Sequence, residues 1–175
     1  FDYFCKLLLE ENRMLRNLLA VLLLTSLSTL AFSQTITSAQ DGNWNDPNTW
    51  SPNTVPTSAN SSLIEILNGH TVTVTAPVTI DQTVIRSGGE VVINAGVTLT
   101  LANGTGTEIT VDAGGSLINN GILAFAGIPN RTVLVNGDFV NSGSFTGVTS
   151  AKLTFGSGSN YYHQFEDGGT IPAAT

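Results

Sequence analysis

Ser87-Gly88-Gly89-Glu90, running straight into Val91-Val92-Ile93, decides the fold, because the chain writes the same corner again as Ala113-Gly114-Gly115-Ser116. A second corner does likewise. Asn119-Asn120-Gly121-Ile122-Leu123 is echoed by Asn141-Ser142-Gly143-Ser144-Phe145, about twenty residues on. Glycine and asparagine suit such corners because both tolerate the left-handed backbone region. An imprecise repeat of this length, with three short strands per unit, is what a rung of a parallel β-helix needs. A β-sandwich is the alternative, since it too has short strands and frequent turns. It does not explain why the same glycine corners return.

Working outward, the corners separate bursts of β-branched and apolar residues. These are 63–67, 71–75, 83–85, 90–93, 97–101, 108–111, 122–125, 132–135, 138–140 and 152–155. In one of them Val72 and Val74 alternate with Thr71, Thr73 and Thr75, the period-two pattern of a strand with one face buried. Nothing after residue 34 carries a helical period of useful length. The expectation is an all-β chain folded as a right-handed parallel β-helix, with rungs over 63–175.

Residues 34–62 differ in texture and hold both tryptophans, in Asp41-Gly42-Asn43-Trp44-Asn45-Asp46-Pro47-Asn48-Thr49-Trp50. An open solenoid end templates further strand pairing unless covered, so this segment reads as an N-terminal cap. No comparable cap is visible toward Thr175, and the chain is expected to be truncated there, with more rungs or domains following.

The beginning of the chain reads as an address. Residues 14–33 comprise Met14 and Arg16, the apolar run Leu18 to Leu24, and small residues ending Ala31-Phe32-Ser33. That is the grammar of a signal-peptide helix, with cleavage between Ser33 and Gln34. The apolar run is too short for a membrane span, which needs roughly 20 such residues. Residues 1–13 are expected to be an upstream extension. The one cysteine, Cys5, lies within it, so the exported body has no disulfide and no thiolate chemistry. After Ser33 the only cations are Arg86, Arg131 and Lys152, within a net charge of −7. Such a body has no footprint for nucleic acid or for anionic membranes. Glycans or other surface proteins are the expected partners, and no cofactor is expected.

The Trp-containing segment, together with Val55-Pro56, Asn68-Gly69-His70-Thr71-Val72-Thr73-Val74 and the tail Tyr161-Tyr162-His163-Gln164-Phe165, resembles large secreted proteins of the Bacteroidetes. It is similar to the glycine-rich extracellular domain named for its eight glycines. The resemblance implies a β-helix-like body, export, and often a C-terminal sorting domain for type IX secretion, which these residues do not include. It supplies no catalytic residues.

Candidate chemistry is sparse. Trp44 and Trp50 are read either as a platform for stacking sugars or as hydrophobic packing of the cap. His70 and His163 lack neighbours at ligand spacing, so no metal site is expected. The acids Asp81, Glu90, Glu108, Asp112 and Asp138 could line a stacked sheet as in polysaccharide-active β-helix enzymes, with Asp112 approaching Glu90 or Asp138. Such an enzyme would also need a base beside them, and only Arg86 and Arg131 are near. The Thr-X-Thr pairs read as outward β-formers. The expectation is a non-enzymatic structural or adhesive solenoid module of a larger secreted or cell-surface bacterial protein. The alternative is part of a carbohydrate-active β-helix enzyme, a polysaccharide lyase or glycosidase.

Overall fold

Alternation in these short bursts leaves each strand with one face to bury, and stacking every burst on its counterpart in the next turn buries all those faces together. The computed structural model describes residues 34–102, 106–125, 132–149 and 152–164. The expected signal-peptide helix, Ser33 and the 1–13 extension lie outside the described residues, as does Arg131. The chain coils as a parallel β-solenoid of about four turns. A first partial rung holds β1 (Gln34–Ser38) and β2 (Gly42–Asn43), followed by a 3-10 turn at Pro47–Thr49 and β3 (Trp50–Ser51). Four three-stranded rungs follow. They are β4 (Ser61–Ile66), β5 (Thr71–Val74) and β6 (Val78–Ile80); β7 (Thr83–Ile85), β8 (Glu90–Ile93) and β9 (Thr98–Leu101); β10 (Ile109–Val111), β11 (Ser116–Asn119) and β12 (Ile122–Ala124); and β13 (Val133–Val135), β14 (Asp138–Asn141) and β15 (Ser144–Thr146). A last pair, β16 (Leu153–Phe155) and β17 (Asn160–His163), continues the stack.

Three sheets run along the coil. The first is ordered β16-β13-β10-β7-β4-β1-β3, the second β17-β14-β11-β8-β5-β2, and the third β15-β12-β9-β6. Every pairing is parallel except β1 with β3. The core is built of columns. Ile36, Ile64, Thr83, Ile109, Val133 and Leu153 stand in register along the first sheet and point inward, all at most 2 % exposed. Burying each aliphatic side chain contributes about 1.5–3 kcal/mol.

The corner echoes in the sequence are the register of the sheets. Glu90 faces Ser116 in the second sheet, and Asn119 faces Asn141 there. Leu123 faces Phe145 in the third. Rung length varies, because Ile64 pairs with Thr83 whereas Thr83 pairs with Ile109.

The boundary of the cap differs from expectation. Gln34–Ser38 is already a ladder strand, pairing in parallel with β4, and Gly42–Asn43 pairs with β5. The first rung therefore starts at Gln34, and only the stretch after Asn43 closes the end. Its polar alternation, with Thr35 and Thr37 outward and a single large apolar residue, Ile36, inward, hid this strand from a pattern search. The antiparallel β3 covers the free edge of β1, which would otherwise present unpaired backbone groups.

Candidate functional site

Both tryptophans belong to the core of that closing stretch. Asp46 holds the tight turn by accepting the Asn48 backbone N–H at 2.9 Å, which brings Trp50 back over Trp44. The two rings meet edge-on, with centroids 4.8 Å apart. Trp44 Nε1 donates to the Pro56 carbonyl at 3.0 Å, and Trp50 Nε1 donates to the Trp44 carbonyl at 2.7 Å. Both side chains are 0 % exposed. A stacking platform needs an open ring face, and neither indole has one.

The acids fall into separate places. Asp112, expected beside Glu90 or Asp138, has its backbone carbonyl against Gly137, next to Asp138, but its carboxylate bonds to neither acid. It turns instead to Arg86, whose Nη1 donates to Asp112 Oδ2 at 3.1 Å. On its other side the same guanidinium makes a close ion pair with Glu65 through Nη2, and Nε donates to Glu65 Oε1 at 2.9 Å. The corner geometry explains this. Arg86 and Asp112 occupy successive positions just after β7 and β10, while Glu65 is on the outer face of β4, so the arginine bridges three rungs. The hydrogen bonds that Arg86 donates, first to Glu65 and then to Asp112, hold its pKa above its ordinary value. Two carboxylates that share a sugar between them need open space across a gap of about 5–10 Å. Here a guanidinium fills the gap.

Glu90 and Asp138 lie in one outward column with Ser116 between them. That separates them by two strand spacings, about 10 Å. Asp138 accepts from Asn160 Nδ2 at 2.8 Å, and Glu90 is 3.5 Å from the Thr71 hydroxyl. Glu108 is buried and accepts the Thr132 backbone N–H. Asp81 sits in the corner between β6 and β7, two residues before Thr83, whose backbone N–H donates to the Glu108 carbonyl at 2.7 Å. Among the described residues no group of three or more His, Cys, Asp or Glu side chains is placed to hold a metal ion. No helix among them is long and apolar enough to cross a membrane.

Two polar clusters escaped the sequence reading, because their members are brought together only by the coiling. Ser38 Oγ lies 2.8 Å from His70 Nδ1 and accepts the Leu67 N–H at 2.8 Å. A serine beside a histidine is the pair used in nucleophilic catalysis. This serine is 1 % exposed, and its hydroxyl joins the first corner to the second. The other cluster is an asparagine ladder. Asn119 Nδ2 donates to Asn141 Oδ1 at 2.8 Å and to the Ser144 carbonyl at 3.2 Å. Asn141 Nδ2 donates to the Tyr161 hydroxyl at 3.2 Å, which is 3.1 Å from His163 Nδ1. Both asparagines are 0 % exposed. The ladder stops at Ile93, the residue in register below Asn119, and Asn119 Oδ1 is left without a partner. The histidines are thus apart, His70 in the corner before β5 and His163 at the end of β17.

Comparison with protein-family models, with curated proteins and with solved structures finds no match to this chain.

Proposed function

We propose that the chain is a non-enzymatic structural or adhesive module of a larger secreted or cell-surface bacterial protein, a stiff stack that spaces or displays what is attached to it. The observation that carries this reading is the Glu65–Arg86–Asp112 clip, the one place where acids and a base meet on stacked strands among the described residues. Its charges are spent on one another across three rungs, with the guanidinium between the two carboxylates. The signal-like segment ending at Ser33 supports export, and the resemblance of the Trp-containing stretch supports a Bacteroidetes surface protein.

The test is a depolymerisation assay on neutral and acidic polysaccharides. No product release is expected, and Arg86→Met should lower stability by about 1 kcal/mol, the range of exposed ion pairs, with a smaller effect in high salt. Release of oligosaccharides that disappears in Glu65→Gln or Asp112→Asn would replace this reading with the carbohydrate-active enzyme. Mass spectrometry of the exported protein checks the address, with Gln34 expected at its N-terminus.

A further inference from the structure

The outer face of the second sheet breaks the rule the rest of the surface follows. Outward positions of a solenoid strand meet water and ordinarily carry Thr, Asn or charged residues, as in the third sheet, where Thr79, Thr100 and Thr146 share a column broken only by the small Ala124. In the first sheet the outward apolar residues Val84 and Leu134 are separated by Thr110. In the second sheet Val92, Ile118, Val140 and Tyr162 follow one another in strict register over β8, β11, β14 and β17. The three aliphatic residues are half-buried, and Tyr162 is 46 % exposed. An unbroken apolar stripe on an outward face is a mark of contact with a ligand or partner. Two residues away along the strands, Glu90 and Asp138 flank it on the same face.

Size and charge select the occupant. Five strands from β5 to β17, each about four residues wide, give a strip of roughly 19 Å by 13 Å. That is about a third of the ~800 Å² per partner that a stable protein interface needs, but it is ample for a single extended polysaccharide chain. The acids exclude an anionic polymer. The described cations offer no compensation, because Arg86 is held between Glu65 and Asp112, and buried Lys152 donates to the Gly147 carbonyl. We infer that the outer face of the second sheet binds an uncharged polysaccharide laid along the stack, with the apolar faces of its sugars on Ile118, Val140 and Tyr162 and its hydroxyls toward Glu90 and Asp138. This rests on the adhesive reading above and gives that adhesion a surface and a ligand class. The aromatic contact is Tyr162, whose ring is open, not the buried tryptophans.

Affinity electrophoresis of the full chain through gels containing a soluble β-1,4-glucan, a β-mannan or polygalacturonate tests it. At least one neutral polymer should retard the protein, and polygalacturonate should not. The double substitution Ile118→Thr/Tyr162→Thr places the residue type of Thr73, the neighbour in the same column, at both sites. It should weaken retardation about tenfold without moving the unfolding midpoint. If that variant does not fold, Val140→Thr alone provides the same readout. No retardation by either neutral polymer, retardation by polygalacturonate, or wild-type binding by a folded variant would each overturn the assignment. Release of sugars in the companion assay would count against the structural reading, whereas absent retardation with no release would count against this face alone.

Discussion

In the corner between β7 and β8, Gly88 and Gly89 are glycines for different reasons. Gly88 has φ +76°, a conformation costly to a side chain. Gly89 does not, but a Cβ there would lie 2.7 Å from the Ile66 carbonyl oxygen of the rung below. The same column continues through Gly115 and Gly137, and at Gly137 the Cβ would meet two carbonyl oxygens, of Gly115 at 2.3 Å and Asp112 at 2.5 Å. Backbone cannot step aside, so the rungs stack only if this position is bare. Conformational tolerance, the reason legible from sequence, therefore explains one glycine of the pair, and close approach explains the other. The two causes separate by experiment. Gly96, at φ +75° with nothing within 4 Å of its Cβ, should accept asparagine for less than about 1 kcal/mol. Gly137→Asn should cost about 3 kcal/mol or more, as overpacking against fixed atoms does. Urea unfolding of the two variants measures the difference, and equal costs would remove close approach as the reason for the column.

At the scale of the strand, the buried asparagine ladder shows what one rung asks of the next. Asn141→Leu removes the acceptor of Asn119 and the donor to Tyr161, and should cost about 1–3 kcal/mol. Adding Asn119→Leu replaces both partners with side chains of similar size and should recover part of that loss, a coupling of at least ~0.5 kcal/mol. A double-mutant cycle by urea unfolding reads it, and zero coupling would mean the ladder is not a unit. Its far end titrates. Burial raises the Tyr161 pKa above its ordinary value of 10.0, a rise the Asn141 hydrogen bond partly offsets. As pH climbs past 10 the unfolded chain gives up this proton first, so stability falls until the folded group ionises too. Tyr161→Phe should flatten that alkaline fall, and a slope unchanged by the substitution would assign it to other groups. The ladder also marks the limit of pattern reading. All ten apolar bursts contain strands, and the corner echoes gave the register of β8 with β11 and of β11 with β14. β11, the strand into which the Ala113–Ser116 corner leads, is missing from the bursts because Asn119 belongs inside, which makes sense only with Asn141 stacked on it. β6 alternates, Val78-Thr79-Ile80, but is only three residues long between Pro77 and Asp81; β15 has one apolar residue and β17 is Asn-Tyr-Tyr-His, and neither of these two shows an aliphatic alternation. The clip around Arg86 and the Ser38–His70 contact join residues of different rungs, so their composition was visible and their meeting was not.

For the whole solenoid the question is how far a local loss travels. Each rung touches chiefly its two neighbours, so stability is nearly a sum of rung terms and nearest-neighbour interfaces. The molecule carries its own reporters for this. Both tryptophans lie beside the first rung, whereas far-ultraviolet circular dichroism averages over every strand. At the other end Phe139 is 0 % exposed and packs against the rings of Phe145, Phe155 and Tyr161, with centroids 5.7–6.4 Å away. Phe139→Ala should remove about 3–5 kcal/mol of local stability. If coupling fades rung by rung, the dichroism midpoint in urea drops and broadens while the tryptophan fluorescence midpoint moves much less. The wild-type midpoints should coincide, since intact interfaces let the stack unfold together. Equal shifts of both signals in the variant would mean that the continuous columns from Ile36 to Leu153 bind the rungs into a single cooperative unit, with the buried core outweighing the one-dimensional arrangement of its parts.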